Sequence, residues 1–196
     1  IGDYVFKECI NLLTVYNNSD LIFEIGSIGN GYIAYNAVKI VNKNESITYL
    51  DGTEVINDFM FKKTTSGYQL IAYLGNSDII ALLKDVNGEK YSIYGLRGVR
   101  NVIIPEGVTR IGVEAFSECI SLKSIVIPEN VVSIEDYAFY KCSALTSVIL
   151  PRGLKTIGVS AFGRCKDLLV IEYQGTKAEW EAIEKHYDWD KESSIS

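Results

Sequence analysis

Four cysteines, one histidine, thirteen tyrosines and a glycine-rich run are the residues of this 196-residue chain whose types invite chemistry. The cysteines are Cys9, Cys119, Cys142 and Cys165, and no two make a C-x-x-C pair, so a zinc site has no ligand spacing to rest on. His186 is the sole histidine, and no partner segment completes a nucleophile–base–acid device around it. The run Gly26-Ser27-Ile28-Gly29-Asn30-Gly31 matches neither the dinucleotide fingerprint nor the P-loop, because no Lys-Ser/Thr follows it, and it is read as a turn. The acidic alternation Asp188-Trp189-Asp190-Lys191-Glu192 lacks the glycine and spacing of a calcium loop and is read as a solvated tail. No spacing assigns a carboxylate pair to acid–base work. Many of the tyrosines fall between Tyr16 and Tyr94, where they serve either as strand formers or as a stacking platform for sugars or a protein. The expectation is therefore a protein that is not an enzyme and holds no cofactor and no metal.

Composition narrows the partners. The net charge of −6 argues against nucleic acid, which leaves a basic footprint. The longest apolar runs, such as Ile79 to Leu83, fall far short of the ~20 residues of a membrane span. The chain opens at Ile1 in mid-repeat with no charged leader, so it is read as a piece of a longer precursor whose export signal and anchor lie outside it.

What positions these residues is a repeat. Pro105, Pro128 and Pro151 recur every 23 residues. Ile111, Ile134 and Ile157 keep the same phase, as do Phe116, Phe139 and Phe162, each after an alanine. Cys119, Cys142 and Cys165 share it too, with Leu122, Leu145 and Leu168 three residues on. Each copy then reads L-x-x-I-x-I: Leu122, Ile125, Ile127; Leu145, Val148, Leu150; Leu168, Ile171, Tyr173. The end of that pattern alternates as a strand must, and the following proline ends it. Gly107, Asn130 and Gly153 come two residues later and predict a left-handed turn. The Ala-Phe-x-x-Cys step predicts a tight helical or 3₁₀ turn with Phe inward. One such coil cannot bury its apolar face, but stacking coils at the strand spacing of ~4.8 Å makes a continuous core. The predicted fold is a mostly β, α/β repeat: a right-handed solenoid with a parallel sheet along one side. Stacked at that spacing, the cysteine Cβ atoms lie beyond the ~3.8 Å of a disulfide, so a ladder of buried free thiols is expected.

Residues 1–17 read as a partial repeat, since Ile1 to Leu12 matches Ile111 to Leu122. Residues 18–98 read as a degenerate coil followed by an irregular β-hairpin insert. In the coil, Ala34-Tyr35 stand for the Ala-Phe step and Val38 to Val41 for a strand. In the insert, strand runs at Ile47–Leu50, Val55–Phe61, Tyr68–Leu74, Ile79–Leu83 and Tyr91–Tyr94 are separated by Asp51-Gly52, Ser66-Gly67, Gly75-Asn76 and Asn87-Gly88. Residues 99–173 are the regular repeats, and 174–196 a C-terminal cap and tail. Thr176-Lys177-Ala178-Glu179 is a capping box for a short helix that ends near His186, with Trp180 and Ile183 on one face and a frayed tail from Tyr187 on.

These motifs resemble the BspA-like leucine-rich repeats of bacterial cell-surface proteins. The likeness rests on IPEGVTRIGVEAFSEC, IPENVVSIEDYAFYKC and LPRGLKTIGVSAFGRC, and on the closing IEYQGTKAEWEAIEK. It covers residues 1–17 and 99–185. What the resemblance implies is an extracellular module displayed on a bacterial cell surface for adhesion, with no catalytic residues. The expected partner is a protein, from a host matrix or another microbial surface. A glycan or cell-wall ligand, or a role as spacer in a longer stalk, are the alternatives. The face expected to bind is the outward side of the predicted sheet. There Ile103, Val126 and Ile149, then Glu172, form a row flanked by Arg100, Lys123 and Thr146, and apolar surface with a polar rim often marks an interaction site.

Overall fold

The computed structural model describes residues 52–195 apart from 76, 78 and 97, and three short strands before them. Expectations for residues 1–12 with Cys9, for the glycine run, for Ala34-Tyr35, and for Asp51 and Asn76 lie outside the described residues. The chain divides into two units, Ile1–Val55 and Ile56–Ser196. In the first, β1 (Thr14–Asn17) pairs in parallel with β2 (Lys39–Asn42), which pairs antiparallel with β3 (Ile47–Tyr49). Strand β4 (Thr53–Ile56) falls at the division.

The second unit winds through β5 (Phe59–Thr64), β6 (Gly67–Tyr73), β7 (Ile79–Ala81), β8 (Tyr91–Ile93), β9 (Asn101–Ile103), β10 (Val108–Ile111), β11 (Ser124–Val126), β12 (Ser133–Ile134), β13 (Ser147–Leu150), β14 (Thr156–Ile157), β15 (Val170–Tyr173), α1 (Lys177–Ala182) and β16 (Glu184–Lys185). The predicted solenoid with a parallel sheet is what forms. The L-x-x-I-x-I segments make one stack, in which β7 pairs with β9 and the order β11-β13-β15 follows. Ile125, Val148 and Leu150 point inward from it and are buried.

The repeat pattern does not predict a second stack, which is parallel from β16 to β6 and antiparallel between β6 and β5. It runs β16-β14-β12-β10-β8-β6-β5 along another side of the solenoid. Its regular strands come just after the prolines, where Val108, Val131 and Leu154, then Ile111, Ile134 and Ile157, face the core. These inward residues are three apart rather than alternating, and β12 and β14 are two residues long. A period-2 search therefore passes over them.

The Ala-Phe-x-x-Cys side is not helical. It is a chain of tight turns, closed by Ala115 N–H to Gly112 O (3.2 Å) and Cys119 N–H to Phe116 O (3.2 Å). Left-handed residues recur there with the repeat: Glu114, Tyr137 and Ser160, then Glu118, Lys141 and Arg164. The left-handed turn expected at Gly107, Asn130 and Gly153 is absent, since none of the three has positive φ. Gly107 is required for another reason: a Cβ there would stand 1.6 Å from Lys84 O in the neighbouring coil. Neighbouring coils also bond along the turn side, as in Phe116 N–H to Ala138 O (2.8 Å) and Phe139 N–H to Ala161 O (2.7 Å). Inside, Phe116, Phe139 and Phe162 stack at 5.2 and 5.1 Å with rings 5° from parallel.

The strand runs before the regular repeats pair differently from an inserted meander. Among the described residues from β5 onward, antiparallel pairing is confined to β5 with β6 and an isolated bridge between Val86 and Glu89. Strand β6 is parallel to β8, with Tyr68 opposite Tyr91 and Leu70 opposite Ile93, the 23-residue period again. Strand β7 is parallel to β9. From Gly67 on, these residues therefore wind with the solenoid. Their period is hidden because Tyr68 and Tyr91 stand where later coils place aliphatics, and because the next coil is short, with Ile93 opposite Ile111. The run Val55–Phe61 is broken by Asn57 and Asp58, both left-handed, into β4 and β5.

The C-terminal end is closed more fully than expected. The capping box forms: Glu179 N–H donates to Thr176 Oγ1 (3.2 Å) and Thr176 N–H to Glu179 Oε2 (2.8 Å). The helix stops at Ala182 rather than near His186, and β16 pairs with β14. The tail does not fray. Phe162 N–H donates to Trp189 O (2.8 Å) and Arg164 N–H to Lys191 O (2.8 Å), so residues 188–192 form a last half-coil. The Trp189 ring meets Phe162 edge-on at 5.9 Å, and Trp180 meets Trp189 at 6.0 Å. No helix among the described residues is long and apolar enough to cross a membrane.

Candidate interaction face

The β7, β9, β11, β13 and β15 stack turns alternate residues outward, because successive strand side chains leave opposite faces. Val126 lies in register with Ile149, and Ile149 with Glu172. Ile103 and Val126 are 61% and 59% exposed, which places them on the open face. Ile149 is half-buried, and Arg100, Lys123, Thr146 and Glu172 are exposed. All seven residues named from sequence thus lie on or beside one surface. The structure adds apolar neighbours that the repeat argument left out. Ile79 is exposed on β7, Val170 on β15, and Leu169 just before it. A signal for Leu169 and Val170 was present in the unbroken run Leu168-Leu169-Val170-Ile171, whose alternate members cannot all point inward.

The outer side of the other stack carries a shallow groove of about 540 Å³ lined by Arg110, Ser133, Glu135, Thr156, Glu184 and His186 among others. Arg110 Nη1 lies 2.8 Å from Glu135 Oε1, and the Tyr94 hydroxyl donates to Glu135 Oε2 at 3.1 Å. Burial, then the Glu135 charge, raises the Tyr94 hydroxyl above its ordinary pKa. His186 pairs through Nδ1 with Asp188, but Ser133 Oγ in the same groove has no hydrogen-bond partner. A serine without a base in reach is not an activated nucleophile. Among the described residues, no group of three or more His, Cys, Asp or Glu is placed to hold a metal ion.

The described cysteines are buried free thiols. Cys119 Sγ donates to Leu96 O (3.2 Å), Cys142 Sγ to Phe116 O (3.1 Å) and Cys165 Sγ to Phe139 O (3.0 Å). Contact with the Cys119 and Cys165 thiols, together with burial, pushes the Cys142 thiol far up, away from the nucleophilic thiolate. Of the tyrosines on β6 and β8, Tyr68 and Tyr91 are in the core, where Tyr91 Oη donates to Leu83 O (2.6 Å), and Tyr73 is half-buried.

Residues 89–185 match the family model described as BspA type leucine rich repeat region, in 6 copies. Among solved structures, the chain is similar to a leucine rich cell surface protein of Faecalibacterium prausnitzii A2-165. That match has 23% identity and a TM-score of 0.53 and covers 78% of this chain and 46% of that one. It is also similar to a leucine-rich repeat protein of Bacteroides capillosus ATCC 29799, at 24% identity and a TM-score of 0.54, over 64% of this chain and 100% of that one. This chain thus spans less than half the length of the first of these proteins. At such identities the likeness carries the fold alone. No curated protein matches the chain.

Proposed function

We propose that this chain, whose residues 89–185 are a BspA-type leucine-rich repeat region, is a non-enzymatic protein-binding module displayed outside a bacterial cell. Its binding surface is the open face of the β9-β11-β13-β15 stack. The observation that carries this reading is the outward apolar row, with Ile103 and Val126 about three-fifths exposed. Exposed apolar side chains in register cost solubility unless a partner covers them. Adhesion to a host-matrix or microbial surface protein is the role this face fits. The burial of Tyr68 and Tyr91 removes two of the rings that a glycan-stacking platform would use. The test is Val126→Lys with Ile149→Lys, assayed against a panel of immobilised extracellular-matrix proteins with a glycan array beside it. Binding to a matrix protein that falls at least tenfold in the folded double variant supports the proposal. Unchanged matrix binding, or binding to the glycan array alone, overturns it.

A further inference from the structure

We propose that Asn87 is a covalent modification site, converted to aspartate and isoaspartate by its own neighbour, and that the folded turn withholds the reaction until residues 85–89 open. The neighbour is Gly88, whose backbone nitrogen, once it has lost its proton, attacks Asn87 Cγ. A C–N bond forms, the Cγ–Nδ2 bond breaks, and ammonia leaves a five-membered imide. Water then opens the ring at either carbonyl. One opening gives aspartate; the other gives isoaspartate, whose main chain runs through the side-chain carbon. The net reaction consumes one water and releases one ammonia. Glycine suits the attacking position because it has no Cβ to hinder the approach of its own nitrogen.

The structure restrains each reacting group separately. Val86 and Glu89 exchange both backbone hydrogen bonds at 2.9 Å, and φ is 54° at Asn87 and 78° at Gly88. This is the two-residue type I′ hairpin that Asn-Gly favours. Such a turn holds ψ of its first central residue at about +30°. The imide ring is nearly planar, so closing it requires the bond to the Gly88 nitrogen to eclipse the Cα–Cβ bond of Asn87. At this ψ the nitrogen points almost opposite to Cβ. The Gly88 N–H donates to Asp85 Oδ1 (2.9 Å), a charge-assisted bond that keeps the proton on the nucleophile. Asn87 Nδ2 donates to the Tyr68 hydroxyl (3.1 Å), which ties the departing amide to a ring in the core. Asn87 and Gly88 are both exposed, so water and base already reach them and only the rotation is missing.

Opening of the turn releases all three restraints together, and the products cannot restore them. Either product lacks the Nδ2 donor to Tyr68 and places a new carboxylate near that of Asp85. Isoaspartate also adds one carbon to the main chain between Val86 and Glu89, which a two-residue hairpin cannot absorb. Each captured opening is therefore permanent.

The wild-type chain held in mildly alkaline buffer, once folded and once in guanidinium chloride, tests this. Peptide mapping by mass spectrometry follows the amide, aspartyl and isoaspartyl forms at position 87, apart from the other Asn-Gly of the chain, Asn30-Gly31. Conversion at 87 is expected to be at least tenfold faster in denaturant. In the folded chain, Asp85→Ala and Tyr68→Phe should each speed it at least threefold. In denaturant both should match the wild type, which separates the two contacts from intrinsic reactivity. Circular dichroism establishes that the variants are folded. Chains already modified at 87 should refold with a lower urea midpoint. Equal rates in the folded and denatured wild type would overturn the proposal without recourse to any variant. So would folded variants that react no faster than the wild type, or modified chains that regain the wild-type midpoint.

Discussion

Cys142 shows what one position in this repeat demands. Its thiol is sealed between two coils, bonded to Phe116 O and beside the thiols of Cys119 and Cys165, where nothing stabilises a thiolate. All four cysteines, Cys9 included, should therefore titrate as free thiols once the chain is denatured without reductant, and a count of two or fewer would contradict the ladder. In the native state the three described thiols should resist a thiol reagent. The pH dependence follows from the raised Cys142 pKa. The folded state keeps its proton while the unfolded chain loses it above its ordinary pKa of ~8.5, so this contribution is complete below that pH and is lost as pH rises beyond it. Urea midpoints should fall between pH 8 and 10, and Cys142→Ser should flatten the fall. Ser160 makes a different demand. It is buried with φ of 45°, where a Cβ costs ~1–2 kcal/mol and glycine costs only its unfolded-state entropy. Ser160→Gly should raise stability by about 0.5–1 kcal/mol in urea unfolding; a loss instead would mean that the side chain contributes more than the strain costs.

Among the elements, the C-terminal cap decides most. A solenoid must cover its last coil, and here the exposed ring edge is that of Phe162. Trp189 lies directly on it, while Trp180 lies on Trp189 and on Tyr173, at 5.5 Å from the latter. Both tryptophans are half-buried, so their truncation should cost less than the ~3–5 kcal/mol of a fully buried Trp. Trp189→Ala is expected to lose about 2–3 kcal/mol and Trp180→Ala about 1–2, by equilibrium urea unfolding. The reverse order would mean that the helix, not the half-coil, closes the core. The cap also responds to acid. The Thr176 backbone N–H first, and the Arg152 guanidinium next, hold the Glu179 carboxyl down at about 2. The Glu179 half of the capping box thus contributes above the ordinary glutamate pKa and is lost as pH falls toward 2, while the Thr176 Oγ1 bond from the Glu179 backbone N–H does not titrate and remains.

For the whole molecule, the open face and the core are separable. Val126 and Ile149 sit in register on the outside, while Ile125 and Val148 beside them fill the interior. Val126→Lys with Ile149→Lys should leave the urea midpoint within about 1 kcal/mol of the parent, the residual cost being repulsion between two cations on neighbouring strands. A loss of several kcal/mol would show that the face is internal to the fold. Sheet pairing and turn-side bonds both join neighbouring coils, as a repeat array requires, so a defect such as Gly107→Ala should spread from the clash with Lys84 O into coils on both sides.

The regular coils were legible because identical side chains recur at one period, and burial in a stack of identical coils forces exactly that recurrence on Phe116, Phe139 and Phe162 or on Cys119, Cys142 and Cys165. Alternation in L-x-x-I-x-I likewise places Ile103 and Val126 outward, since strand side chains must alternate. The capping box was legible because its two hydrogen bonds join residues three apart. What lacked a local signature was decided by tertiary structure. The second stack has strands as short as two residues, and their pairing partners lie a full coil away. Tyr68 and Tyr91 read more readily as strand formers than as a surface platform, and the parallel register of β6 and β8 turned both rings inward. Trp189 looked like part of a solvated acidic tail. Its role came from Phe162, a residue distant in sequence whose open ring only the completed stack presents, and contacts of that range leave no period in the chain to be read.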